Sequence, residues 1–133
     1  MRIVVDTNVL VSALLKPESV PDRALLAIWK SGAHVLFDAR IAAEYREVLA
    51  RPKFRVIARS RGEALLSQLL SRGEDLGPVA SWAGPLPDEG DRIFVEAALA
   101  GHADVIVTGN LRDYPVDLGF AVEPPATLLA MLE

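Results

Sequence analysis

Cysteine is absent from the sequence, and histidine occurs only twice. The first absence excludes a disulfide scaffold, thiolate catalysis and Cys-based zinc sites. The scarcity of histidine excludes a His-rich metal cage, so any metal would be a hard cation held by oxygen. No G-x-G-x-x-G follows the first predicted strand, which removes the dinucleotide-binding fingerprint. No apolar run approaches the length of a membrane span. The apolar start after Arg2 imitates a signal peptide, but Asp6 and Asn8 interrupt it, so the expected location is the cytoplasm, with no membrane partner. A net charge of −4 gives the whole chain no polyanion-binding character. What is present is 133 residues, 51% of them apolar and 24% charged, enough for a single globular domain over 1–133 with a genuine core.

Short β-branched runs alternate with helical stripes. RIVVD at 2–6 reads as a buried strand, and Thr7 or Asn8 caps a helix over 7–15. A second helix over 21–31 carries Leu25, Ile28 and Trp29 and stops at Gly32. A strand follows at 33–37, and Asp38 caps a helix that runs to about Ala50, where Pro52 stops it. The Leu-rich stretch 62–72 predicts another helix. GPVASWAGPLPDEG, at 77–90, is the longest loop; flanking halves this small exclude a domain linker. Asp88 or Asp91 opens a helix that ends at Gly101. A third strand at 104–108, a weak fourth at 120–122 and a closing helix at 124–132 complete the pattern. The alternation predicts an α/β fold, a three-layer α/β/α sandwich around a parallel sheet of Rossmann-like kind.

Ligand sites in such sheets lie beyond the carboxyl ends of the strands. Asp6 ends the first strand and Asn110 follows the third. Glu44 and Asp91 lie on helices beside the sheet. Clustered carboxylates repel one another unless a cation sits among them. They would suit Mg²⁺ or Mn²⁺, which activates water for attack on a phosphodiester. Other acids have structural readings. Asp38 reads as a helix cap, and Glu47 as a solvated partner of Arg51. Asp88 and Glu89 read as first-turn residues favoured by the helix dipole. Glu96 projects about 140° away from Asp91 around its helix. Asp6, directly behind IVV, is poorly placed for a solvated role.

Four ordered segments make the chain recognisable: VVDTNVLVSALL, IAAEYREVLARPKF, DEGDRIFVEAALAGHADVIVTGN with RDYP just after it, and PATLLAML. The chain resembles a PIN-domain protein of the VapC-like type, the toxin component of a toxin–antitoxin pair. The resemblance implies a metal-dependent ribonuclease with catalytic, metal-holding acids at Asp6, Glu44 and Asp91. At the fourth acidic position, commonly Asp, this chain has Asn110, which offers a carbonyl oxygen but no charge. Asp113 would then supply the missing charge. Thr7, Asn8 and Thr108 would orient the ligands or water around the ion, although a plain helix cap remains open for Asn8. An antitoxin that blocks the site and a homodimer are also implied.

Binding RNA requires local positive charge. Residues 40–61 hold seven basic side chains against Glu44 and Glu47, so Arg40, Arg46, Arg51, Lys53 and Arg55 are the expected phosphate contacts. Tyr45 and Phe54 both fit a core stripe there, which leaves base stacking unsupported. Trp29 and Trp82 read as packing residues, and His34 and His102 show no ligand spacing. The Leu-rich helix and the apolar residues of 7–15 offer a partner surface, or else are covered within the monomer. The competing function is a catalytically weakened PIN-fold protein that binds RNA or antitoxin, motivated by Asn110. A haloacid-dehalogenase-type phosphatase would pair two aspartates across one residue, and Asn8 occupies the second place.

Overall fold

A computed structural model describes residues 1–133, the side chains of residues 55–58 excepted. Arg55 falls in that stretch, so its expected role lies outside the described residues. The elements are β1 (Arg2–Val5), α1 (Thr7–Leu15), α2 (Val20–Ser31), β2 (His34–Phe37), α3 (Ala39–Leu49), α4 (Pro52–Arg72), β3 (Glu74–Asp75), α5 (Arg92–Ala100), β4 (Val105–Val107), β5 (Ala121–Glu123) and α6 (Pro125–Leu132). All five strands are parallel, in the order β3-β2-β1-β4-β5. In the centre, Ile3 lies against Val105 and Val5 against Val107.

Both faces of this sheet are covered. Ile3, Val4 and Val5 on β1 and Val105, Ile106 and Val107 on β4 have no exposed surface, although neighbouring side chains on a strand point to opposite faces. The continuous apolar runs are therefore the signature of a parallel sheet between helical layers. Helix α2 packs on α1 and α6, whereas α5 packs on β1, β2, β4 and α3. Gly32 ends α2 with φ +74°, the left-handed conformation that releases a helix C-terminus. No described helix is long and apolar enough to cross a membrane.

The α/β architecture is as expected, with four local corrections. Asp6, not Thr7 or Asn8, is the N-cap of α1, and its carboxylate accepts from the Asn8 amide. Pro52 follows the end of α3 but also begins α4, so the helix expected from 62 starts ten residues earlier; proline is well placed at the first helical position because its missing N–H has no partner there anyway. The two-residue strand β3 was not expected. It pairs with β2 and is held by Arg2, whose guanidinium donates to both Glu74 carboxylate oxygens at 3.1 and 2.9 Å. Asp88 and Asp91 share the opening of α5: Asp88 caps a 3₁₀ turn over Glu89–Asp91, and α5 follows. The Leu-rich face of α4 is largely covered within the monomer, Leu69 fully and Leu65, Leu66 and Leu70 in part.

Candidate active site

The chain order runs outward from β1 in one direction through β2 and β3, then returns to β1's other side with β4 and β5. This reversal puts a crevice beyond the carboxyl ends of β1 and β4, where open parallel sheets bind ligands. A cavity of about 390 Å³ opens there, and Asp6, Glu44, Asp88, Asp91, Asn110 and Asp113 all line it. Residues up to 107 positions apart in the chain thus share one space.

Asp6 is the fixed point. It is 5% exposed. Its Oδ1 accepts from the Asn8 amide at 3.2 Å, and its Oδ2 accepts from the Thr108 hydroxyl at 2.9 Å and the Tyr114 hydroxyl at 2.7 Å. A carboxylate offers about four acceptor positions, so Asp6 is held in place with acceptor capacity left over. Thr108 is positioned in turn: its Oγ1 accepts from the Asn8 side-chain amide at 3.3 Å and the Asn110 amide at 3.0 Å. The Asn8 side-chain Oδ1 accepts from the Gly109 amide at 3.0 Å. Asn8 therefore ties the start of α1 to the loop after β4, and helix capping belongs to Asp6. Thr7 Oγ1 donates to Glu44 Oε2 at 2.9 Å, fixing the acid presented by α3. Tyr45, beside Glu44, is fully buried and donates to the Val5 carbonyl at 2.6 Å, which anchors α3 to the end of β1.

The second half of the site comes from two short turns. Asp91 closes the turn before α5, and Asp113 closes a 3₁₀ turn over Leu111–Asp113. Carboxylate oxygens of Asp88, Asp91 and Asp113 all lie within 4.8 Å of one another. Burial pushes the Asp91 carboxyl up, and the charges of Asp6, Asp88 and Asp113 push it further, to about 7. Among the described residues no ion pair engages any of these acids. Tyr114 is itself held protonated by burial and by Asp6, so it remains a donor. A donor set made only of oxygen, crowded and uncompensated, fits a hard divalent cation.

Two participants were missed in the sequence. Asp88 reads there as a first-turn acid, and it does accept from the Gly90 amide at 2.9 Å, but it also joins the trio. Tyr114 belongs to RDYP, and its aromatic ring next to two charged residues was the available signal. The expected phosphate contacts separate. Arg40 is committed elsewhere: it donates to Asp38 Oδ2 at 2.7 Å and to Glu96 Oε1 at 2.6 Å. Arg46 faces a hollow between α3 and α4 with Arg59 and Glu63. Arg51 lines the acidic cavity, and Lys53 sits over the Phe54 ring at 4.9 Å.

A family model described as "PIN domain" matches residues 2–112. The chain belongs to the PIN-domain family. The matched span contains Asp6, Glu44, Asp91 and Asn110 and stops just short of Asp113. Comparison with curated proteins gives no match. Among solved structures, this PIN domain is similar to a chain in the crystal structure of VapBC2 from Rickettsia felis bound to a DNA fragment from its promoter, with TM-score 0.65 and 18% identity. The alignment covers 93% of this chain and 98% of that one. Identity at this level supports the shared fold.

Proposed function

We propose that this PIN domain is a divalent-metal-dependent endoribonuclease and the toxin of a toxin–antitoxin pair. The carrying observation is the cavity at the sheet's switch point, lined by five carboxylates of which, among the described residues, none is in an ion pair. Asp6, Glu44, Asp91 and Asp113 would hold Mg²⁺ or Mn²⁺, with Asp88 and Asn110 at the rim. Such an ion supplies charge to offset the carboxylates, acidifies water for attack on phosphorus and stabilises the leaving oxygen. The protein's own contribution is placement. Thr108 and Tyr114 clamp Asp6, Thr7 clamps Glu44, and the two short turns bring Asp91 beside Asp113. Arg51 stands at the cavity edge for a substrate phosphate. Its pair with Glu47, at 3.7 Å between two exposed side chains, is weak and readily exchanged. The charge absent at Asn110 is present at Asp113, which supports an active site over a decayed one. The fold shared with a VapBC2 chain supports an antitoxin partner by fold-level analogy.

The test is cleavage of single-stranded and structured RNA by the purified chain. Cleavage is expected with Mn²⁺ or Mg²⁺, none with chelator, and a drop of about 10²–10³-fold in Asp6→Ala with the fold retained by circular dichroism. No cleavage by the wild type under either ion, or undiminished cleavage by Asp6→Ala, overturns the reading.

A further inference from the structure

The acids make up only part of the cavity lining. Val11 from α1, Val48 from α3 and Phe54 from α4 line the same space, with Arg51 beside them. Three helices each contribute one apolar side chain to a site whose remaining lining is almost wholly polar. Val48 is 8% exposed and belongs to the core, but Phe54 is only half-buried, so its ring is available at the cavity. Two basic groups accompany it: Arg51 lines the same cavity, and the Lys53 ammonium stands 4.9 Å from the Phe54 ring centroid. The cavity thus grades from carboxylates to an aromatic face flanked by two cations.

Resting on the nuclease reading above, we propose that Phe54, backed by Val11 and Val48, is a nucleobase subsite. It stacks one unpaired base of the RNA next to the scissile phosphate, while Arg51 and Lys53 hold the adjoining backbone. The polarity of the wall matches a nucleotide, which carries a flat apolar face beside an anion. A basic peptide segment fits worse, because its cations would meet Arg51 and Lys53. At about 390 Å³ the cavity is at the small end of ligand pockets, which run from about 300 to 1,000 Å³. That accommodates a single nucleotide unit and no duplex, so the substrate strand must be unpaired where it is cut. Stacking on an aromatic face tolerates any base, and the subsite therefore sets strandedness more than sequence.

The experiment uses short single-stranded RNA carrying 2-aminopurine at successive positions. Binding is measured in the Asp6→Asn background, which prevents turnover, and cleavage is measured in the wild-type background with Mn²⁺. Fluorescence quenching is expected at one position adjoining the cut. Phe54→Leu, which keeps apolar packing, should remove that quenching and weaken binding about 5- to 150-fold, the range that loss of one base stack produces. In cleavage this appears in KM more than in kcat. Phe54→Trp should restore both. An abasic nucleotide at the quenched position should weaken binding to the wild-type wall and have no further effect in Phe54→Leu. Equal binding and KM in Phe54→Leu, or an abasic penalty that persists in the variant, overturns the subsite. So does a short Arg-rich peptide whose affinity falls in Phe54→Leu while RNA binding does not, which would assign the wall to a protein partner. Each of these results leaves wild-type cleavage intact, so they are distinct from failure of the nuclease reading itself.

Discussion

Two groups of acids, all but Asp88 buried or half-buried, stand beyond neighbouring strands of one sheet, and they are resolved in opposite ways. After β2, Asp38 and Glu96 are 3% and 5% exposed, and the Arg40 guanidinium bridges them. The Trp82 amide donates to the second Glu96 oxygen at 2.8 Å. Burial pulls the Glu96 carboxyl up, but Arg40 and the Trp82 amide outweigh it and hold the group below the ordinary carboxylate range. After β1, Asp6 stands with Glu44, Asp88, Asp91 and Asp113, and among the described residues none of these acids is in an ion pair. Burial and like charge leave Asp91 at about 7. The difference teaches how a structural acid cluster differs from one available to an outside ligand. The first is closed by its own cation and fastens the loop before α5 to α3. The second has no ion pair among the described residues, and on the proposed function a divalent cation would relieve its charge.

The comparison can be broken most forcefully by giving the open cluster a cation of its own. Asn110→Arg, at an exposed cavity position, should reduce RNA cleavage by about 10²–10³-fold. Mn²⁺ binding measured by calorimetry should fall with it, while metal-free thermal stability holds or rises. Unchanged Mn²⁺ binding would show that the cluster is not the ion site.

The reverse change opens the closed cluster. Arg40→Ala leaves two buried carboxylates unpaired and should cost about 2–4 kcal/mol in urea unfolding, below the largest penalties because the Arg40 side chain is itself 44% exposed. Cleavage per folded molecule should stay near wild type; a collapse of activity at full folding would put Arg40 in RNA contact after all.

A smaller effect distinguishes the clusters by pH. Asp91 has a folded pKa of about 7 against 3.8 for the free side chain. Between those values the folded state binds more protons than the unfolded one, so this group favours folding most at low pH. Its contribution is lost as pH rises through about 7. Glu96, whose folded pKa is lowered, acts oppositely and favours folding above its unfolded value. Metal-free melting temperatures should therefore decline between about pH 4 and about pH 7 and level off above it, and Asp91→Asn or saturating Mn²⁺ should flatten that decline. A slope that survives both assigns it to other groups.

The mildest change sharpens the open cluster alone. Thr7→Val removes the donor to Glu44 Oε2 and should weaken Mn²⁺ binding about tenfold, with Thr7→Ser restoring it. Equal affinity in Thr7→Val would show that Glu44 needs no support from α1.

Much of this was readable along the chain wherever the signal was local. RIVVD and DVIVT announce buried parallel strands, Asp38 announces a cap, and Gly32 announces a stop; each is borne out in place. The early start of α4 was obscured because proline reads equally as the end of one helix and the first residue of the next. Strand β3 is two acids with no apolar pattern, and it exists through pairing with β2 and through Arg2, whose partner Glu74 lies 72 positions away. Arg40 looked like a phosphate contact for the same reason, since Glu96 lies 56 positions from it. Phe54 fits a core stripe in the sequence, yet it stands half-buried on the wall of the acidic cavity.

The sequence by itself determined the order of strands and helices apart from β3, the absence of a cysteine- or histidine-based metal cage, and the supply of carboxylates near strand ends. Periodicity and capping act over a few residues, so they survive in linear text. Which carboxylates receive an arginine and which are left bare was decided only by the tertiary structure. Charge and hydrogen bonding depend on distance through space: Tyr114 reaches Asp6 across 108 positions at 2.7 Å, and no spacing rule encodes that encounter.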